Sequence, residues 1–182
     1  NLKSTTVSSS AAFSIWNSGV EAVRAGRLVS AALRRKGNQL ILGDASINLE
    51  QCEKIGVVGG GKGVAQMAIA VERLLGPEIV KEKVSGWVNV PADCLIDTQK
   101  IHLHAARPAG INEPTLDGVV GSEEMLALVS GLRENDLCLT LLTGGGSALM
   151  PAPRPPVTLA ELLEVTRLLM NHGATIRELN TV

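Results

Sequence analysis

Residues 54–75 open as Lys54-Ile-Gly-Val-Val-Gly-Gly-Gly-Lys-Gly-Val64 and go on with Met67, Ala68, Val71, Leu74 and Leu75 at helical spacing. The apolar run before the glycines predicts a strand over 54–58. The 3.6-residue period after them predicts a helix over 64–75, ended by Gly76-Pro77. The unit is therefore strand, glycine loop (59–63), helix. A second stretch has the same order. Asp136 to Leu142 is almost continuously apolar, which predicts a buried parallel strand, and it runs into Thr143-Gly-Gly-Gly-Ser147.

The flanking sequence extends the alternation. Strands are expected at 39–42, 84–90 and 101–104. Helices are expected at 11–35 with a break at Gly26, at 115–132, and at 159–172 behind a Thr158/Glu161 capping box, ended by Gly173. Arg107 to Pro114 reads as a loop. Pro151, Pro153, Pro155 and Pro156 read as a rigid link and not as a domain boundary, and 174–182 as the start of another element. Alternating strands and helices imply an α/β fold, a Rossmann-like layered domain with a mostly parallel sheet flanked by helices. Such sheets bind ligands beyond the carboxyl ends of their strands, where both glycine loops should lie.

Composition narrows the function classes. Of 182 residues, 45% are hydrophobic and the net charge is −1, enough for one core and contrary to intrinsic disorder. Near-neutral charge with only Phe13, Trp16 and Trp87 as aromatic rings argues against nucleic-acid binding. No apolar run is long enough for a membrane span. The Ser- and Thr-rich start has no signal-peptide core, and it begins with Asn1, which suggests a missing upstream piece. Cys52, Cys94 and Cys138 are scattered, as free buried thiols in a cytoplasmic protein would be.

The loops carry the chemistry. Gly56 to Lys62 matches Gly-x-x-x-x-Gly-Lys, but Gly63 stands where a P-loop needs Ser or Thr. The dinucleotide fingerprint also fails, because its third glycine position is Val64. What survives is a loop whose backbone N–H groups and Lys62 can meet an anion; a tight turn with an exposed lysine is the other reading. The Thr143–Ser147 loop reads as a second anion cradle or as a packing turn. Basic residues Arg24, Arg27, Arg34, Arg35 and Lys36 read as a solvated face, or as a rim for an anionic ligand. His102 and His104 share one strand face without a third metal ligand nearby in sequence, and His172 sits near a helix end. No Gly-x-Ser-x-Gly elbow is present.

Three ordered motifs resemble a known family. Val57 to Met67, Asp136 to Leu149, and Gly173 to Val182 (with Thr158-Leu159 before it) are similar to segments of the class II glycerate 2-kinases, some of which carry a hydroxypyruvate reductase label. The resemblance implies an ATP- and magnesium-dependent kinase acting on the 2-hydroxyl of D-glycerate. It implies that residues 1–182 are its N-terminal α/β domain, without the family's C-terminal domain. Lys62 takes the family lysine's place and would neutralise the transferring phosphoryl group. Gly144, Gly145, Gly146 and Ser147 match the family's glycine loop and would bind substrate or phosphate, Glu178 and Asn180 match the family's Glu and Asn, and Gly60 and Gly61 are phosphate-binding candidates from the first glycine loop. One departure bears on the substrate. The family's His-Pro-Val-Pro-Asp-Glu is replaced here by Ala106-Arg-Pro-Ala-Gly-Ile-Asn-Glu-Pro114, with Arg107 at the histidine position. Arg107 would either pair with a carboxylate or serve as a surface loop residue. Glycerate and ATP are the expected partners, a homodimer is compatible, and neither nucleic acid nor membrane is expected. The rival readings are an NAD(P)H-dependent hydroxypyruvate or tartronate reductase and a non-catalytic ligand-binding domain.

Overall fold

The computed structural model describes residues 8–181. Helix α1 (Ser9–Ala22) is capped by Ser8, whose hydroxyl accepts the Ala11 N–H at 3.2 Å. The break comes at Val23-Arg24 and not at Gly26, which lies inside α2 (Ala25–Ala32). The helix expected to reach Arg35 stops at Ala32. Leu33–Lys36 is a strand, β1, which hairpins onto β2 (Gln39–Leu42), and β2 onto β3 (Ala45–Asn48). The physical reason is turn chemistry. Each hairpin turns on two residues, Gly37-Asn38 and Gly43-Asp44, and both glycines take left-handed φ of 59° and 57°. Such turns match strand twist and decide the pairing. Leu40 on β2 is fully buried, so this antiparallel meander belongs to the core.

The central sheet is all parallel: β4 (Ile55–Gly60), β5 (Val84–Pro91), β6 (Ile101–Arg107) and β7 (Leu137–Leu142), in the spatial order β6-β5-β4-β7. Every residue of β4 is buried, as the apolar run demands. Gly59 and Gly60, expected in the loop, are its last two residues. β7 corrects a second expectation. It is an edge strand, alternating buried and exposed, with Leu142 turned outward. Likewise β6 runs three residues past its expected end, so Arg107 closes a strand and does not open a loop.

Helix α3 (Val64–Leu75) packs Val64, Ala68, Val71 and Leu75 into the core. Gly76-Pro77 ends it as expected, and Pro77 also starts α4 (Pro77–Lys83), a place where its missing N–H costs nothing. Glu72 of α3 is buried, and its carboxylate accepts the backbone N–H groups of Gln99, Lys100 and Ile101 at 2.8 to 3.0 Å. That fixes where β6 begins. Helix α5 (Leu116–Ser130) covers the sheet between β6 and β7, capped by Thr115. A short helix α6 (Gly146–Leu149) follows β7. Helix α7 (Leu159–Asn171) carries the expected Thr158/Glu161 capping box, and α8 (Ile176–Leu179) carries another, Thr175/Glu178. His172 closes α7, its Nδ1 2.8 Å from the Leu168 carbonyl oxygen. Neither α1 nor α7 has a buried residue. Among the described residues no helix is long and apolar enough to cross a membrane. Of the three cysteines, all free, only Cys52 is fully buried; Cys94 is half-buried and Cys138 exposed.

Candidate active site

From β4 the chain moves outward to β5 and β6 on one side and returns to β7 on the other. The switch point therefore lies between β4 and β7, and the two glycine loops leave those two strands side by side. A parallel sheet opens a crevice at that place.

The two loops are locked to each other. The Lys62 N–H donates to the Gly144 carbonyl at 3.1 Å, and the Gly63 N–H to Thr143 Oγ1 at 3.0 Å. The Gly61 N–H donates to the Asn89 carbonyl at 3.2 Å. These contacts explain the first set of glycines. A Cβ on Gly61 would lie 2.1 Å from Thr143 Oγ1, and one on Gly59 1.9 Å from the Leu141 carbonyl oxygen. The backbones meet where no side chain fits. The expectation that this loop offers its N–H groups to an anion is corrected here: Gly61, Lys62 and Gly63 spend theirs on the protein. Gly60 is buried at the end of its strand against Met150. What the first loop does present is the exposed side chain of Lys62.

The second loop is the reverse. Gly146 donates to the Thr143 carbonyl, but the N–H groups of Gly144, Gly145 and Ser147 have no hydrogen-bond partner among the described residues. Gly145 takes φ +91°, and a Cβ there would sit 3.4 Å from Arg107 Nη2 and 3.7 Å from Lys62 Cγ. So Lys62 and Arg107 converge on Gly145 from two strands. Arg107 is only 2% exposed. Its Nη1 donates to Asn112 Oδ1 at 2.7 Å, and its Nε has no partner among the described residues. Asp93 and Cys94 stand near this edge, in the 3-10 turn after β5. Burial pushes the Cys94 thiol above its ordinary value and the Asp93 carboxylate adds to it, against the opposing pull of Lys62 and Arg107. A raised value disfavours the thiolate, the reactive form of a cysteine.

Other candidates fall elsewhere. The Glu178 carboxylate is engaged in its own cap, accepting the Thr175 N–H at 2.7 Å and the Thr175 hydroxyl at 2.9 Å. Asn180 closes α8, and no hydrogen bond or ion pair joins either residue to the loops. His102 and His104 do share a face, where both lie against Trp87 with ring centroids 4.1 and 5.3 Å away. No group of three His, Cys, Asp or Glu side chains fit for a metal ion exists among the described residues. Sequence reasoning missed Asn89, a fully buried amide whose Nδ2 donates to the carbonyls of Gly118 and Leu149, tying α5 and α6 together beneath the crevice. A lone Asn in the apolar run 84–90 was the available signal.

The profile of a domain of unknown function, DUF4147, matches residues 11–182. The chain belongs to the DUF4147 family. Among its relatives, a glycerate kinase of Danio rerio is 37% identical over 180 residues, covering 92% of this chain and 34% of its own length. A glycerate 2-kinase of Pyrococcus horikoshii is 32% identical over 131 residues, covering 71% of this chain and 27% of its own length. The crystal structure of a glycerate kinase of Thermotoga maritima superposes with a TM-score of 0.73 at 28% identity, covering 94% of this chain and 36% of its own. The DUF4147 chain thus spans about a third of the length of the curated relatives that match nearly all of it.

Proposed function

We propose that the protein carrying this chain transfers the terminal phosphoryl group of ATP to the 2-hydroxyl of D-glycerate, and that residues 1–182 are its N-terminal α/β domain. The observation that carries the reading is the convergence at the switch point of two cations, Lys62 and Arg107, on a loop with unpartnered backbone N–H groups. The names of the relatives point the same way.

Phosphoryl transfer demands positioning and charge stabilisation more than covalent chemistry. Lys62, exposed and on a flexible stem, reaches the moving phosphoryl oxygens. The N–H groups of Gly144, Gly145 and Ser147 stabilise the charge that develops on them. On the far side of the loops, Val23, Leu28, Met67 and Leu142 line an apolar groove of about 330 Å³ that suits the flat face of a nucleobase. The described residues form no magnesium cage, so magnesium would enter on the nucleotide's phosphates, and no step here is assigned to it. A nicotinamide reductase has less support: the third glycine of the dinucleotide fingerprint is replaced by Val64, which is fully buried. Free thiols without a disulfide accord with a cytoplasmic setting.

The test is a direct assay of the intact protein. With D-glycerate and magnesium-ATP it is expected to release 2-phosphoglycerate. With hydroxypyruvate and NADH it is expected to oxidise no NADH. Tight NADH binding without ATP binding would reverse the assignment.

A further inference from the structure

Arg107 holds a charge without a partner. A guanidinium stays protonated, and burying it unpaired is costly. Yet Arg107 is 2% exposed, and its one side-chain partner is the neutral amide of Asn112. The ion pairs among the described residues, Arg24–Glu21, Arg133–Glu53 and Arg167–Glu113, leave it out. The nitrogens are divided tellingly. Asn112 takes Nη1. Nε and Nη2 form the side-on edge of the fork, the edge that grips a carboxylate with two parallel hydrogen bonds. Nε is buried and unsatisfied, and Nη2 faces Gly145.

We propose that Arg107 is the carboxylate-reading residue of this site, that its Nε–Nη2 edge closes on the carboxylate of a small 2-hydroxy acid lying over Gly145, and that Asn112 is the positioning residue that aims it. This rests on the kinase reading and adds to it the group that selects the acceptor. The recessed position argues for the small acid over the nucleotide. Only the end of a short ligand reaches a guanidinium this deep, whereas a polyphosphate meets the exposed Lys62 first. Gly145 must lack a side chain for the same reason, since its Cβ would stand between the two cations.

The test titrates the intact protein with three probes: D-glycerate, its neutral amide glyceramide, and magnesium-ATP. Wild type is expected to prefer glycerate to glyceramide by about tenfold or more. Arg107→Lys keeps the charge but loses the fork. It should weaken glycerate roughly 10- to 100-fold, remove most of that preference, and leave ATP within about threefold. Asn112→Ala, at an exposed position, should raise KM for glycerate by about three- to tenfold with kcat nearly unchanged. It keeps the proposal testable if Arg107→Lys fails to fold. Three results would overturn the proposal: wild type that binds glycerate no better than glyceramide or binds neither, an Arg107→Lys loss that falls on ATP, or an Asn112→Ala variant with unaltered KM. The kinase reading fails separately. Arg107-dependent glycerate binding without any phosphoglycerate sinks that reading alone, and phosphoglycerate formation with an unaltered Arg107→Lys KM sinks this one alone.

Discussion

At the scale of single residues, the glycines divide by task. Those before Lys62 let two strands touch, and Gly144 and Gly145 after Thr143 leave donors free. Gly61→Ala should cost more than about 3 kcal/mol, because its Cβ meets backbone and hydroxyl oxygens of Thr143 at a strained φ. Gly144→Ala has nothing within 4 Å of its Cβ and should melt within about 2 °C of wild type. Thermal unfolding of the two variants checks this, and equal melting temperatures would refute it. Lys62→Ala removes an exposed side chain, so the fold should stand while kcat/KM for phosphoryl transfer falls at least about 100-fold. Activity retained within about threefold would remove Lys62 from the chemistry. The sequence made Lys62 and the Thr143–Ser147 loop visible. It could not show that the Gly61, Lys62 and Gly63 N–H groups are already taken, because their partners Asn89, Gly144 and Thr143 lie 28 to 82 positions away.

At the scale of elements, the capping boxes of α7 and α8 depend on ionised carboxylates. The Thr158 backbone N–H, then its hydroxyl, holds the Glu161 carboxyl below the usual carboxylate range. The sign follows from linkage. A folded value below the unfolded one adds stability above the ordinary carboxylate pKa, and that stability fades as pH falls through the folded value. Glu161→Gln should therefore lose helicity relative to wild type at pH 7, and the gap should narrow as acid, below the ordinary carboxylate range, protonates the Glu161 carboxyl. Circular dichroism across that range checks it, and a gap that persists in acid would refute the ionic cap. The Thr158/Glu161 box was legible because all its parts lie within four residues. The core strands β4 and β5 were legible from apolar runs. Of the β1–β3 meander the sequence shows β2 alone; β1 and β3 stay hidden although Gly37-Asn38 and Gly43-Asp44 are turn signals, since 28–35 also fits a helical period. Arg107 reads as a loop residue in the sequence because a charged side chain gives no apolar signal, whereas in the fold it ends a strand under cover of its neighbours.

At the scale of the molecule, the sheet core is closed while its flanks are open. The chain exposes 11896 Å², against roughly 8,400 Å² for a compact monomer of its 19.0 kDa mass. Much apolar surface lies on α1 (Phe13, Ile15, Trp16) and on α7 (Val165, Leu168, Met170). Lys62 and Ser147 also face solvent, so water has free access to any phosphoryl group held between them. A kinase must exclude that water or lose ATP to hydrolysis, which takes a wall closing over the site. The 182-residue chain by itself should accordingly give less than about 1% of the intact protein's rate, a difference of roughly 2.7 kcal/mol in barrier. A side-by-side assay with D-glycerate and magnesium-ATP decides the point, and a higher rate from the short chain would refute it. The two tryptophans fall on either side of this divide: Trp16 is 62% exposed on the unpacked α1, and Trp87 lies in the sheet against two imidazoles. Intrinsic fluorescence is thus a built-in pair of reporters. Whatever comes to cover α1 will shift the emission of Trp16 toward the blue, while Trp87, held against the rings of His102 and His104, stays as the internal reference.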